Sequence, residues 1–210
     1  CRGDGGRRGR IGFYSAGRIK GSAIVAEVAA RMPEREFLVA GTYVEPPAAN
    51  VTCRGYLRDM RELYREIDLL LVPSMWEEAF GRVVLEAAVN GIPSIANRVG
   101  GLPEAVGDGG VLIDREPGET VAVTAGRYVA AIRALLDDDA AWAEASRRAR
   151  ARAEAYEREQ DRTAREFCAR SLRRDGDSRA AVTSRASPGP PSTSSPGSTG
   201  DPRRGRPSRR

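Results

Sequence analysis

The chain has 210 residues, 40% of them hydrophobic, which suits one domain of ordinary size with an appendage. It contains no His, which excludes a His-based catalytic triad and any His metal site within it. The net charge of +5 sits at one end: nine Arg and three Asp lie from Arg173 onward, and the other 25 basic residues face 26 acidic ones, so the body carries no general signal for nucleic acid.

Cys1, Cys53 and Cys168 lack metal or redox spacing and read as free thiols, so a reducing, cytoplasmic setting is expected. The longest apolar run, 67–73, contains Asp68 and falls far short of the roughly 20 residues of a membrane span. No signal peptide is visible. The start at Cys1 reads as the C-terminal piece of something longer, or as a truncated reading frame.

Residues 1–10, rich in Gly and Arg, read as a flexible lead-in. A short strand is expected over 11–16, then Gly17-Arg18-Ile19-Lys20-Gly21, then an amphipathic helix over 22–31 with Ile24, Val25, Val28 and Ala29 at helical spacing. A buried strand over 36–40 ends at Gly41. After a Pro-rich loop come a strand over 51–54, a loop over 55–58 and a helix over 60–66 capped by Asp59. Residues 68–72 are almost all apolar, as in a strand buried on both faces. A helix over 81–90 ends at Gly91. A strand over 93–96, a Gly turn into a short helix with Pro near its start, and a strand over 111–113 follow.

From 119 to 173 the pattern is helical, with a break at Asp137-Asp138-Asp139, a second helix from Trp142 and a third over 161–172. Residues 174–210 hold Ser, Pro, Gly, Thr and Arg with few large apolar side chains, and a disordered tail is expected. The alternation of strands and helices over 11–173 predicts one α/β domain, a Rossmann-like parallel sheet with helices on both faces.

Open sheets of this kind bind ligands at the C-terminal edge of their strands. The first βα turn puts Arg18 and Lys20 there; Lys20 is the only Lys among 34 basic residues, and an ammonium beside a Gly is a common phosphate partner. Surface charge is the plain alternative. The stretch Trp76-Glu77-Glu78-Ala79-Phe80-Gly81-Arg82-Val83-Val84-Leu85-Glu86 joins a strand to a helix at the same edge. Free N–H groups at a helix start, flanked by two carboxylates, suit a ligand that is part phosphate and part polyol. Either Glu alone could equally be a dipole partner or a solvated side chain.

Gly17-Arg18…Lys20-Gly21, the Glu-x7-Glu pair Glu78…Glu86 around Phe80-Gly81, and Gly100-Gly101-Leu102-Pro103-Glu104 together resemble the C-terminal domain of retaining glycosyltransferases of the GT-B fold, family 4. The resemblance covers about 11–170. Only one residue separates Arg18 from Lys20, where many members have several.

The resemblance implies a donor site for a nucleotide-diphospho-sugar. Arg18 and Lys20 would neutralise the diphosphate, and the backbone around Phe80, Gly81, Arg82 and Val83 would hydrogen-bond it. Glu78 would meet the sugar hydroxyls and Glu86 the ribose. Gly55, Tyr56 and Leu57 would lie near the base. No metal or other cofactor is expected, because the cations would stabilise the leaving diphosphate. The acceptor-binding N-terminal domain would be a missing partner, so a binding module inactive by itself is the alternative. Two carboxylates can also hydrolyse glycosides, but they must then face each other across a sugar, and a single loop–helix element disfavours that.

Overall fold

The computed structural model describes residues 9–43, 45 and 47–183. Six strands form one parallel sheet: β1 (Ile11–Ala16), β2 (Phe37–Thr42), β3 (Val51–Cys53), β4 (Leu69–Val72), β5 (Ser94–Asn97) and β6 (Gly110–Ile113). Their order across the sheet is β3-β2-β1-β4-β5-β6. Consecutive strands build outward from β1 on one side and from β4 on the other. The crevice between the C-terminal ends of β1 and β4 is therefore the topological switch point.

Both faces are covered, which is why the strands are apolar at successive positions. Phe13, Phe37, Val39, Leu69, Leu71 and Ile95 point to a cluster shared with α1 (Ser22–Arg31) and α5 (Val121–Leu136). Leu38, Ala40, Leu70, Val72 and Ala96 point the other way, toward α2 (Arg61–Tyr64), α3 (Arg82–Val89) and α4 (Leu102–Val106). The expected doubly wound sheet is the one found.

Local departures have local causes. β2 runs through Gly41 instead of ending there. Gly41 takes φ 89° and turns its N–H to the Gly55 carbonyl at 2.6 Å while staying in register with Ser15 of β1. Asp59 accepts the Arg61 N–H at 2.9 Å, though Met60 occupies the cap position of the short α2. Asp138 accepts the N–H groups of Ala140 and Ala141, so the acidic run separates α5 from α6 (Asp139–Thr183) as expected. No further break occurs near 161, because no Pro stands between 139 and 183 and the first Gly is Gly176.

One compact unit ends at Thr163 and a second begins at Ala164; the described part of the second is the helical run to Thr183. Residues 174–183 of the expected tail thus belong to α6, and 184–210 lie outside the described residues. Of the expected lead-in, 1–8 also lie outside. Gly9 and Arg10 donate their N–H groups to the buried Asp68 carboxylate at 2.7 and 3.3 Å. Within the first unit α6 is keyed to the sheet by Trp142, whose indole N–H donates to the Asp68 carbonyl, and by Ser146, whose hydroxyl donates to the Gly91 carbonyl.

Candidate functional site

The site begins at the two strand ends that the topology makes neighbours. After β1, Gly17 leads into a 3₁₀ turn, Arg18–Lys20, closed by Gly21. After β4, Pro73 and Ser74 lead into the loop before α3. The two segments touch through backbone. Met75 donates its N–H to the Ile19 carbonyl at 2.8 Å, and a Cβ on Gly21 would lie 2.0 Å from the Pro73 carbonyl oxygen.

The 3₁₀ turn decides which cation faces the crevice. At three residues per turn, positions two apart point to different sides. Lys20 forms an ion pair with the Glu78 carboxylate. Arg18 is 78% exposed and reaches Glu45 at 3.8 Å instead. The two cations expected to act together are separated in this structure.

Glu78 is held at several points. Its Oε1 accepts the Lys20 ammonium and the Ser74 hydroxyl, the latter at 2.5 Å. Its carbonyl accepts the Gly101 N–H at 2.7 Å. The Gly100-Gly101 turn lies directly on this loop: a Cβ on Gly100 would be 2.3 Å from the Glu78 carbonyl oxygen, and one on Gly101 2.6 Å from that of Ala79. Burial raises the cost of charge on Glu78, but the donors from Lys20 and Ser74 outweigh it, and the carboxyl titrates below the ordinary glutamate range.

Phe80 stacks on Tyr156 of α6 with ring centroids 4.6 Å apart. Gly81 caps α3 at φ 75°, a left-handed conformation that favours Gly, and the N-terminus of α3 opens onto the crevice. The crevice holds a cavity of about 330 Å³. Lys20, Ser74 and Glu78 form its polar wall; Phe13, Leu71 and Phe80 are among its apolar lining, and Gly81, Arg82 and Val83 close the helix end. Phosphate-sized anions suit a helix start beside an ammonium.

Glu86 stands outside this lining. It accepts the Tyr64 hydroxyl at 2.9 Å and lies 3.5 Å from the Arg82 guanidinium. Gly55 accepts the Gly41 N–H, Tyr56 is 80% exposed, and Leu57 packs on the second core cluster; none of them lines the cavity. Sequence reasoning missed Ser74, which anchors Glu78, and Tyr64, which anchors Glu86. The Pro-Ser step after β4 was the one visible hint at Ser74. Among the described residues no group of three or more His, Cys, Asp or Glu side chains is arranged to hold a metal ion, and no helix is long and apolar enough to cross a membrane.

The family model of glycosyl transferases group 1 matches residues 9–138. The chain belongs to this family. That span contains the whole sheet, Lys20, Glu78 and Glu86. Among curated proteins the glycosyl transferase is similar to the D-inositol 3-phosphate glycosyltransferases of Corynebacterium efficiens, 35% identical over 136 residues, and of Corynebacterium diphtheriae, 36% identical over 137. Each alignment takes in 55% of this chain and 30% of the relative, so the chain spans under a third of the length of these relatives.

Among solved structures it resembles Anabaena HepE in complex with UDP and glucose, with a TM-score of 0.60, 25% identity, and coverage of 70% of this chain and 43% of that one. It also resembles the sucrose-phosphate synthase of Thermosynechococcus elongatus, with a TM-score of 0.59, 25% identity, and coverage of 76% and 46%. The fold of this group 1 glycosyl transferase is thus that of a GT-B glycosyltransferase domain.

Proposed function

We propose that this chain is the C-terminal, donor-binding half of a retaining family 4 glycosyltransferase that uses a nucleotide-diphospho-sugar. The observation that carries the reading is the meeting of Lys20 and Glu78 at the β1/β4 switch point, under the open start of α3. Lys20 and the N–H groups around Gly81 to Val83 receive the diphosphate. Glu78, a carboxylate held beside that cation, accepts hydrogen bonds from the sugar. Arg18 swings in from its exposed position to share the phosphate charge. Glu86 takes the ribose, and the loop of Gly55, Tyr56 and Leu57 flanks the base.

As the bond from sugar to phosphate breaks, negative charge grows on the leaving diphosphate. A cation and N–H dipoles fixed beside it favour the transition state over the ground state. That charge balance needs no metal. The reaction is proposed to take place in the cytoplasm, a setting with which the free, exposed Cys53 is compatible.

The test is a melting series of the chain with UDP, GDP and ADP and their sugars. Bound donor raises the melting temperature by mass action. Stabilisation by one nucleotide sugar, lost in Lys20→Ala and Glu78→Ala, is the expected result. Stabilisation that survives both substitutions would overturn the site.

A second reading is favoured by the coverage of under a third of the relatives. The chain alone is then a donor-binding module, and transfer needs an N-terminal, acceptor-binding domain. Sugar transfer by the isolated 210 residues would contradict it.

A further inference from the structure

A buried line of hydrogen bonds reaches Glu78 from α5. Tyr128 and Ser74 are 0% exposed and Asn97 is 1% exposed. The Tyr128 hydroxyl donates to Asn97 Oδ1 at 2.9 Å; Asn97 Nδ2 donates to the Ser74 carbonyl at 3.0 Å; the Ser74 hydroxyl donates to Glu78 Oε1 at 2.5 Å.

Every link has one allowed polarity. A backbone carbonyl only accepts, so Asn97 must turn its amide N–H₂ to Ser74 and its oxygen to Tyr128. That oxygen only accepts, so Tyr128 must donate. Burial pushes the Tyr128 phenol well above its ordinary range, and the donor stays protonated. The ionised Glu78 only accepts, so the Ser74 hydroxyl proton is committed to it. Asn97 thereby sets the plane of the peptide that carries Ser74, at the point where the chain leaves β4 for the Glu78 loop. A tyrosine serving only to fill the core would need no hydroxyl, and its oxygen here satisfies one atom whose amide partner leads to the site.

We propose that Asn97 and Tyr128 are positioning residues, which orient Ser74 and through it the Glu78 carboxylate for the donor sugar. This rests on the donor reading above. The line runs from α5 through the end of β5 to the end of β4, so it joins the packing of the first sheet face to a carboxylate in the crevice.

The test uses Tyr128→Phe, Asn97→Ala and Ser74→Ala in the 210-residue chain, with two measurements. The first is carboxyl ¹³C NMR titration of Glu78 without ligand. Each variant is expected to move the Glu78 titration upward toward an ordinary glutamate. The second is affinity for UDP-glucose and for UDP, with the GDP and ADP pairs alongside. The nucleotide sugar is expected to lose roughly tenfold while the nucleotide diphosphate holds.

An unmoved Glu78 titration in Tyr128→Phe would overturn the proposal. So would equal losses for sugar nucleotide and nucleotide with a lowered melting temperature, which is what a merely structural role produces. If the parent chain binds none of the nucleotide sugars, the donor reading falls, and the Glu78 titration alone decides whether the line positions the carboxylate. Should Asn97→Ala fail to fold, Tyr128→Phe, which removes a single oxygen, carries the decision.

Discussion

Gly21 lies so close to Pro73 that a Cβ on it would sit 2.0 Å from the Pro73 carbonyl oxygen and 2.8 Å from its carbon. The two residues follow β1 and β4, and their contact holds the two turns against each other. Gly21 also has φ 83°. Gly21→Ala therefore meets two penalties: about 1–2 kcal/mol for a non-Gly residue in the left-handed region and about 1–3 kcal/mol for overlap with backbone. Chemical denaturation should show a loss of that size. Gly17→Ala, whose Cβ meets nothing within 4 Å, carries no overlap; at φ 99° and ψ −170° it occupies a region essentially reserved for Gly, and its loss of about 1–3 kcal/mol measures backbone strain alone.

The Glu78 carboxyl titrates below the value of 4.5 expected of an isolated glutamate. A depressed folded-state pKa contributes stability above the unfolded-state value and loses it as pH falls through the folded value. The parent should therefore melt above Glu78→Gln at neutral pH, with a gap that narrows once the pH drops below about 4.5. Melting curves of both proteins from pH 7 downward measure this. A constant gap would mean that the carboxylate charge is not what Lys20 and Ser74 hold.

Tyr64 is buried and donates its hydroxyl to Glu86 at 2.9 Å, in reach of the Arg82 guanidinium on the same carboxylate. Tyr64→Phe keeps the ring and frees Glu86 to follow Arg82 into solvent. Because Glu86 is partly exposed and water can replace the donor, the stability loss should be about 1 kcal/mol, the net value of an ordinary hydrogen bond rather than the roughly 1.5–3 kcal/mol of a bond to a charged group. Under the donor reading its binding effect is the reverse of the Tyr128 effect. Affinity for the nucleotide diphosphate falls, and the ratio between sugar nucleotide and nucleotide stays constant in calorimetry.

Phe80 borders the cavity on one side and stacks on Tyr156 on the other, where the Arg152 guanidinium also lies 5.7 Å from the Tyr156 ring. Such a stack adds about 0.5–1.5 kcal/mol beyond the buried area. Tyr156→Ala should lower stability by about 1 kcal/mol, the gain in helix propensity at α6 offsetting part of the loss. It should also loosen Phe80, read as weaker stabilisation by donor in the melting series. Tyr156→Phe, which keeps the stack, should behave as the parent.

Much of the fold was legible because strand and helix periods are local. The continuous apolar run at Leu69 to Val72 announces a strand covered on both faces, and both clusters take alternate residues from it. The separation of Arg18 from Lys20 was not legible. Their spacing suggests a joint cation, but the 3₁₀ turn sends one to Glu45 and the other to Glu78. The line from Tyr128 through Asn97 to Ser74 was invisible, since an isolated Tyr, Asn and Ser spread over 54 positions carry no period and no motif.

The amino-acid sequence by itself determined the parallel α/β architecture, the glycines at the tight turns and the Glu-x7-Glu stretch on a loop and helix start. These depend on backbone freedom and on which side chains avoid water, both properties of near neighbours along the chain. Only the tertiary structure decided that Lys20 meets Glu78 across 58 positions and that Ser74 is the residue holding that carboxylate. Strand order is the physical reason. Placing β1 beside β4 brings two distant turns to one crevice, and that adjacency is settled by packing both sheet faces at once.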